Sequence, residues 1–301
     1  MHSPIASSLG QLLRATSCVV IASALSVICA ASRGSEQKTK EGALHWTPPN
    51  VDAPIESLAS TPPCELPVVL ERATGRAKEL IDNLQNFTAR ETIQVLSLDS
   101  MGAPDSSESA RYEYAVNFDE NGGDLSVKES RAPASKSDGL TGGVPDVGLS
   151  ALAVIFHPAY RDDYDMKCEG MATWEGHPTW VLHFQQKKAQ RARTLTLRTQ
   201  SASYPAKLKG RAWIAADSYQ IQHLEVNLID AIPMLSLRSD AIALDYAPVQ
   251  FTSRGIQLWL PREARTFADY EKTRYIVRHS FTNFLLSSVD IQQLIGAPPK
   301  P

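Results

Sequence analysis

Apolar and polar side chains alternate with a period of two residues over most of the chain from Phe87 to Phe281, and this pattern constrains the fold most strongly. Such alternation is typical of antiparallel β-strands that bury one face and leave the other in water. Glycine-containing turn signals, such as Asn121-Gly-Gly123 and Glu175-Gly176, separate the runs. The apolar positions of the runs are Tyr112, Tyr114, Val116 and Phe118; Trp180, Leu182 and Phe184; Leu208, Ala212 and Ile214; Ile242, Leu244 and Tyr246; Ile256, Leu258 and Leu260; Tyr275, Val277 and Phe281.

The phase of this alternation slips on the strand that follows the turn at Asp217-Ser218. Ile221 falls on one parity, whereas Leu224 and Val226 fall on the other. One extra residue in the strand produces such a slip, so the pattern predicts a β-bulge near His223.

Helical periodicity is found before the strands and again in the middle of the chain. Residues 68–85 repeat apolar side chains at three- and four-residue spacing, which predicts an amphipathic helix. The segment Val147–Phe156 is apolar on nearly every side and ends at His157-Pro158, which predicts a short helix buried on most of its surface. The glycine- and proline-containing residues 131–146 before it predict a mobile loop.

The first 32 residues have the pattern of a secretory signal peptide. Met1–Ser32 carries Arg14 and no acidic residue, contains the apolar run Cys18–Cys29, and ends in small residues. An uncleaved N-terminal anchor is one alternative, and a lipoprotein acylated at Cys29 is another, although the bulky Ile28 before that cysteine disfavours it. We therefore expect a periplasmic or secreted protein, with membrane anchoring as the less favoured reading.

The remaining chain divides by composition. Residues 33–66 are polar and rich in proline, which predicts an extended linker that is not packed. Residues 67–295 are long enough to bury a sizeable core and predict one domain, and we expect residues 296–301 to form a disordered tail.

Of the four cysteines, Cys18 and Cys29 lie in the signal segment, and Cys64 and Cys168 follow it. In an exported protein this remaining pair is a candidate disulfide. Two unpaired, buried thiols are the alternative, because sequence alone does not place the two Cα atoms within bridging distance.

Charge and motifs exclude several classes of function. The formal net charge is −3 and the pI is about 6.2, so no basic field favours a nucleic acid partner. The sequence contains no GxSxG, HExxH, GxxxxGK[ST] or CxxC motif. We accordingly expect no catalytic residues and no cofactor.

The polar groupings that remain fit ordinary surface roles better than sites. His177 and His183 lack a third ligand for a metal, and Arg161–Asp165 lacks the glycine and the terminal glutamate of a calcium loop. The basic stretch Lys187–Arg193 is read as a solvated hairpin loop rather than as a site for an anionic partner. We therefore expect no metal site.

Aromatic and large aliphatic side chains on alternating strands and on the inserted helix are candidates to line an apolar groove. Core packing is the alternative for each of them. The candidate ligand-binding residues are Tyr112, Tyr114, Phe118, Leu149, Leu152, Phe156, Trp180, Phe184 and Trp213.

The order of elements resembles the LolA/LolB-like superfamily of envelope proteins, which includes outer-membrane lipoprotein-sorting-like proteins. Gly210–Glu225 is similar to their Gly-x-x-Trp/Val-Ile-Asp hairpin with a charged return strand, and Asn83–Glu91 resembles their junction between helix and first strand. The resemblance covers about residues 67–288. It implies an α+β, mainly β fold: a strongly curved antiparallel sheet, or unclosed β-barrel, whose concave face is covered by an N-terminal helix and an inserted helix.

The resemblance also implies that the concave face binds acyl chains. We expect a non-catalytic protein that binds a lipid or a lipidated chain, with Leu149, Leu152 and Phe156 facing inward from a lid and the loop before them acting as its hinge. The alternative is a structural or protein-binding module of the cell envelope, with a filled core and no small ligand. An enzyme would require convergent polar side chains, and the sequence nominates none.

Overall fold

The computed structural model describes residues 44–56, 58–59, 62–136, 138–140, 148–198 and 203–286. They fall within the unit Ala43–Pro301. The predicted signal peptide, the tail and part of the loop 131–146 lie outside the described residues, so these expectations stay predictions.

Strands make up most of the described chain, as the alternation predicts. A single long helix precedes them, and short helical segments interrupt them. The elements are α1 (Leu66–Asn83), β1 (Asn86–Leu98), β2 (Pro104–Asn121), β3 (Asp124–Pro133), a 3-10 helix (Ser150–Phe156), α2 (Pro158–Arg161), β4 (Tyr164–Trp174), β5 (His177–Gln186), β6 (Leu195–Arg198), β7 (Ser203–Ala206), β8 (Leu208–Ala215), β9 (Ile221–Leu228), a 3-10 turn (Pro233–Leu235), β10 (Leu237–Phe251), β11 (Ile256–Tyr270) and β12 (Thr273–Leu286).

Ten strands form one antiparallel sheet in the order β3-β2-β1-β12-β11-β10-β9-β8-β5-β4, and β6 pairs with β7 apart from it. The first strand, β1, pairs with the last strand, β12, and this pair lies in the interior of the sheet. The sheet has β3 and β4 as its edge strands and is not closed, which confirms the predicted unclosed half-barrel. The predicted bulge is also confirmed, because the register between β8 and β9 shifts between Trp213 and Ile214, opposite Gln222 and His223.

The face of the sheet that carries Phe87, Tyr114, Leu182 and Leu244 is the inner face, and it packs against α1 and the 3-10 helix. Proline in the first turn starts α1, and Val69, Ala73, Ala77 and Ile81 form its buried side. The sheet edges approach each other here, because Tyr160 donates to the carbonyl of Leu125 and Arg193 binds both Asp124 and Asp163.

The outer face is crossed by an extended segment, residues 44–56 and 58–59, which we call the strap. The expectation of an unpacked linker is wrong for this part, because Val51 is completely buried and Asn227 bonds both Val51 and Pro49. Arg211 also donates to the carbonyl of Ala53. The proline-rich composition correctly indicated an extended backbone. The backbone N–H and C=O groups of the strap find hydrogen-bond partners in side chains of the sheet instead of in water.

The strap ends by bending around the edge strand β4. Ala59 forms a β-bridge with Met171, and a Cβ on Gly170, whose φ is +146°, would lie 2.9 Å from the Ala59 carbonyl oxygen. Glycine is therefore required for this close approach. A disulfide then joins Cys64 to Cys168, with Cα atoms 6.2 Å apart.

Candidate binding face and its polar cluster

The candidate ligand-binding residues on the inner face are packed against one another. Leu152, Phe156 and Phe184 are completely buried, and Leu149 is nearly so. The Phe156 ring meets the Phe184 ring edge-to-face at 6.3 Å between centroids. The predicted inserted helix is thus a 3-10 helix that lies on the inner face, and its side chains fill the space beneath it.

Gly210 on β8 makes room for this packing. A Cβ at Gly210 would overlap the Phe184 ring and the Glu225 carbonyl oxygen. The aromatic ring therefore lies directly over the backbone of the neighbouring strand. This close approach explains why a strand interior tolerates a glycine here.

A second aromatic group lies on β1, β2 and β12. Tyr114 contacts Phe281 at 5.2 Å and Phe87 at 6.2 Å, and Phe87 stacks on Phe118 at 6.5 Å. Tyr112 is on the same face but belongs to a smaller neighbouring cluster with Ile93, Ala110 and Val277. Trp180 is half-buried and packs at the border of the main core.

Trp213 does not join this group. It lies on the outer face, where it packs with Ala172 and Val181 under Ile55 and Leu58 of the strap. Its sequence position already placed it opposite Ala212 and Ile214, so the alternation argues against it as a residue of the inner face. Trp213 is therefore removed from the set of candidate ligand-binding residues.

The inner face also holds a polar cluster that sequence reasoning missed. Its members come from five elements of the chain and are Glu91, Tyr114, Glu129, Arg131, Ser150 and His279. Arg131 binds Glu91 with two hydrogen bonds of 2.6 and 3.0 Å, and His279 Nδ1 lies 2.8 Å from a Glu91 oxygen. Glu91 and His279 are completely buried, and Arg131 compensates the charge of Glu91 inside the protein.

The polar cluster also holds the start of the inserted 3-10 helix. The carboxylate of Glu129 accepts hydrogen bonds from the backbone N–H groups of Gly148 and Ser150, at 3.1 and 2.8 Å. The hydroxyl groups of Tyr114 and Ser150 are 2.8 Å apart. Side chains of the sheet thus supply the partners that the first backbone N–H groups of a helix need.

The electrostatic setting of the cluster follows from burial and pairing. Burial raises the pKa of Glu91, but hydrogen bonds from His279 and Arg131 outweigh burial and hold the pKa below its ordinary value. Burial, aided by the charge of Glu129, raises the pKa of Tyr114 well above its ordinary value. Arg131 also lies 4.8 Å from the centroid of the Tyr114 ring. The cluster therefore keeps Glu91 ionised and Tyr114 protonated at neutral pH.

One sequence signal pointed to part of the cluster. Glu91 shares its parity with Phe87, Ala89 and Ile93, so a charge occupies an inward position of β1. Its partners lie far away, since His279 is 188 residues further along the chain. Sequence alone could therefore flag Glu91 as unusual but could not name its partners.

Some polar atoms of the inner face have no hydrogen-bond partner among the described residues. They are the hydroxyl groups of Tyr246 and Thr266 and the indole N–H of Trp180. Burial raises the pKa of Tyr246, so its hydroxyl keeps its proton. These groups can donate hydrogen bonds to carbonyl or hydroxyl oxygens that enter the inner face.

The acidic and histidine groups nominated as weak metal candidates have structural partners. Asp163 binds Arg193 at 2.8 Å, and His183 lies 3.6 Å from Asp52. Within the described ranges, no group of three or more His, Cys, Asp or Glu residues is arranged to hold a metal ion. In the same part of the chain, no helix is long and apolar enough to cross a membrane.

Comparison with known proteins gives structural matches only. No model of a known protein family and no curated protein matches this sequence. A DUF1329 family protein from Desulfovibrio piger is similar over 74% of this chain and 94% of that chain, with 10% identity and a TM-score of 0.43.

Two further solved structures carry names of the group that the sequence resembles. A putative outer membrane lipoprotein-sorting protein domain from Vibrio parahaemolyticus matches 73% of this chain and 92% of that chain, with 12% identity and a TM-score of 0.38. A LolA superfamily protein from Nitrosomonas europaea matches 75% of this chain and 95% of that chain, with 12% identity and a TM-score of 0.35.

Proposed function

We propose that the protein is a non-catalytic carrier that binds the acyl chain of a lipid or lipidated protein on the inner face of its half-barrel. The observation that carries this proposal is the way the inner face is covered. A 3-10 helix of seven residues lies on the apolar surface. The backbone N–H of Ser150 at its start donates to Glu129, and the Ser150 hydroxyl pairs with that of Tyr114. The buried apolar side chains of the helix hold the rest of it on the sheet, so it leaves the sheet when an acyl chain replaces their contacts.

The apolar contacts under the inserted helix suit an acyl chain. Leu152 and Phe156 occupy the space that such a chain would take when the helix moves away. Each methylene group that leaves water contributes about 0.8 kcal/mol, so one chain can replace these side chains without polar contacts. The partnerless hydroxyl groups of Tyr246 and Thr266 are available to an ester or carboxyl group at the head of the chain.

A filled module without a small ligand is the second candidate. Complete burial of Leu152, Phe156 and Phe184 favours it, because the inner face is already packed by the protein's own side chains. The two candidates differ in whether the inserted helix leaves the sheet. A carrier requires this movement, and a module does not.

Uptake of a fluorescent fatty acid distinguishes them. Tyr114→Phe removes the hydroxyl that contacts Ser150, and we expect faster uptake because the inserted helix is held less firmly. Ser97→Ala is the control, since it removes a hydroxyl pair of the same length, 2.8 Å to Ser106, at the end of β1 remote from the inserted helix. Equal uptake by both variants would reject the role of the inserted helix as a gate.

Native mass spectrometry of the protein purified from its own cells complements the uptake assay. A carrier is expected to retain an extractable acyl lipid, and Leu152→Asp is expected to lose it while remaining folded by circular dichroism. If Leu152→Asp unfolds, the uptake assay with Tyr114→Phe still distinguishes the carrier from the filled module. A lipid-free protein that also takes up no fluorescent fatty acid would favour the filled module.

A further inference from the structure

The Glu129 carboxylate joins the start of the inserted 3-10 helix to the inner face. Its two oxygen atoms accept hydrogen bonds from the backbone N–H groups of Gly148 and Ser150, at 3.1 and 2.8 Å. The Glu129 side chain is only 3% exposed, so these bonds form away from water. The groups that this carboxylate binds while the helix covers the sheet are therefore amide N–H groups.

Apolar side chains follow these N–H groups along the chain. Leu152 and Phe156 of the inserted helix are completely buried on the inner face. The helix has seven residues and rises about 2 Å per residue, so it spans roughly 14 Å. The inserted segment thus has the chemical pattern of an acyl chain joined to an amide, with N–H donors at one end and an apolar body behind them.

Departure of the inserted helix changes the contacts of Glu129. The N–H groups of Gly148 and Ser150 leave with the helix, and the loss of donors from a buried carboxylate costs more than an ordinary hydrogen bond contributes. Arg131 lies 4.0 Å from Glu129, but it already donates two hydrogen bonds to Glu91. A ligand that brings an N–H donor therefore restores a contact that the helix takes away.

Two tyrosine hydroxyl groups interact with the charge of Glu129. Burial, aided by this charge, raises the pKa of Tyr114 and of Tyr246, so both hydroxyl groups keep their protons. The Tyr114 hydroxyl loses Ser150 when the helix departs, and the Tyr246 hydroxyl has no hydrogen-bond partner within the part of the chain that the structure describes. Both can donate to a carbonyl oxygen.

We propose that the inner face selects an acyl ligand whose chain ends in an amide group, in preference to an ester or a free fatty acid. This inference rests on the proposed carrier function and adds the chemical class of the ligand head. The amide N–H donates to Glu129 in place of Ser150, and the amide carbonyl accepts from a tyrosine hydroxyl. An ester lacks the donor, and a free carboxylate brings a second negative charge to a buried carboxylate.

Competition between acyl compounds that share one chain and differ in their heads tests this selectivity. Lauramide, methyl laurate and lauric acid are each titrated against the fluorescent fatty acid bound to the unmodified protein. We expect lauramide to bind at least about tenfold more tightly than methyl laurate, because a hydrogen bond to a buried charge contributes a factor of that size. Lauric acid should bind more weakly than the ester, because its charge repels that of Glu129.

Glu129→Gln is the diagnostic variant, since glutamine keeps the shape of the side chain, removes its charge and adds an N–H donor. We expect the preference for lauramide over lauric acid to fall at least about tenfold in this variant. The ratio between competitors is compared, so a looser hold on the inserted helix affects both compounds equally. Glu113→Gln, at an exposed ion pair with Arg90, is the matched control and should keep the preference of the unmodified protein.

Equal binding of lauramide and methyl laurate by the unmodified protein would overturn the amide preference and leave the carrier function standing, whether or not the variant folds. An unchanged preference in folded Glu129→Gln would overturn the role of Glu129. A protein that binds neither the fluorescent fatty acid nor lauramide would reject the carrier function and this inference together. Native mass spectrometry then separates the sources of the amide, since an amide lipid and an acylated protein differ in mass, and a bound species without an amide would contradict the proposal.

Discussion

The two faces of this sheet are covered by different means. On the inner face, the inserted 3-10 helix is held at its start by hydrogen bonds to the buried polar cluster. On the outer face, the strap is held by backbone and side-chain contacts along its length and by the Cys64–Cys168 disulfide at its end. The inner covering can therefore detach without breaking a covalent bond, whereas the disulfide tethers the end of the outer covering to β4. Only the inner face therefore has a covering that can leave it while the protein stays folded and its disulfide stays intact.

Removal of the disulfide should have the largest effect on this difference. The bond closes a loop with a sequence separation of 104 residues. For the variant Cys64→Ser/Cys168→Ser we expect a loss of about 4–5 kcal/mol in the free energy of unfolding, before any strain is subtracted. Urea unfolding under non-reducing conditions measures this loss against the unmodified protein with its disulfide intact, and the reduced unmodified protein should unfold like the variant. A loss below about 1 kcal/mol would mean that strap contacts alone hold the outer covering.

Disruption of the polar cluster should come next. Glu91→Ala leaves Arg131 and His279 buried without their carboxylate, so we expect a loss of about 3–5 kcal/mol in the free energy of unfolding. Glu113→Ala is the matched control, because Glu113 pairs with Arg90 at the solvent-exposed surface and should contribute less than about 1 kcal/mol. Similar losses in both variants would show that the buried cluster contributes no more to stability than an exposed ion pair.

The beginning of the strap should contribute less. The Trp46 ring contacts Phe267 edge-to-face at 5.8 Å, and Arg274 lies 5.2 Å from its centroid. We expect Trp46→Ala to lower the free energy of unfolding by about 1–2 kcal/mol. Tyr270→Ala, at a more exposed aromatic ring nearby, is expected to stay within about 0.5 kcal/mol of the unmodified protein. Chemical denaturation followed by circular dichroism is the measurement, since this signal does not depend on the tryptophan that the variant removes.

The smallest expected effect is a pH dependence on the outer face. Burial lowers the pKa of His223, but hydrogen bonds and charges from Asp245 and Glu225 outweigh burial, so the pKa lies above its ordinary value of 6.5. The ring also stacks on Trp174 at 3.8 Å and contacts Trp213. A raised pKa stabilises the folded state fully below the unfolded value, and this stabilisation is lost as the pH rises through the folded value.

We therefore expect the free energy of unfolding to fall as the pH is raised from about 6 to about 9, and we expect His223→Gln to flatten this slope. The pKa of Asp245 is shifted in the opposite direction. Burial raises this pKa, but the hydrogen bond and charge of His223 outweigh burial and hold it below its ordinary value. The contribution of Asp245 to stability is therefore lost in acid, as the pH falls through the pKa of the folded state. His177→Gln, at an exposed strand end, is the control and should leave the slope unchanged. If His223→Gln leaves the pH dependence of the free energy of unfolding unchanged, the His223–Asp245 pair is not its source.

Sequence patterns predicted the sheet better than its coverings. Period-two alternation is a local property, so it gave the inward parity of Tyr114 and the bulge beside His223. The strap has no period, and its packing depends on partners such as Asn227 that lie far along the chain. The polar cluster could not be assembled for the same reason, because Glu91, Arg131 and His279 stand on three separate strands. Trp213 shows that parity must be applied to every aromatic residue before it is assigned to a groove.

The pairing of β1 with β12 has a consequence for the order of folding. Residues at the centre of the sheet, such as Phe87 and Leu286, become neighbours only after the whole domain sequence is present. Contacts of this separation raise the contact order and slow the search for the native topology. A nascent chain that has not yet released its last strand can form the β1-β2-β3 hairpins but cannot complete the core around them. Such a delay keeps the chain incompletely folded until its last strand is present, and cooperative folding can then finish.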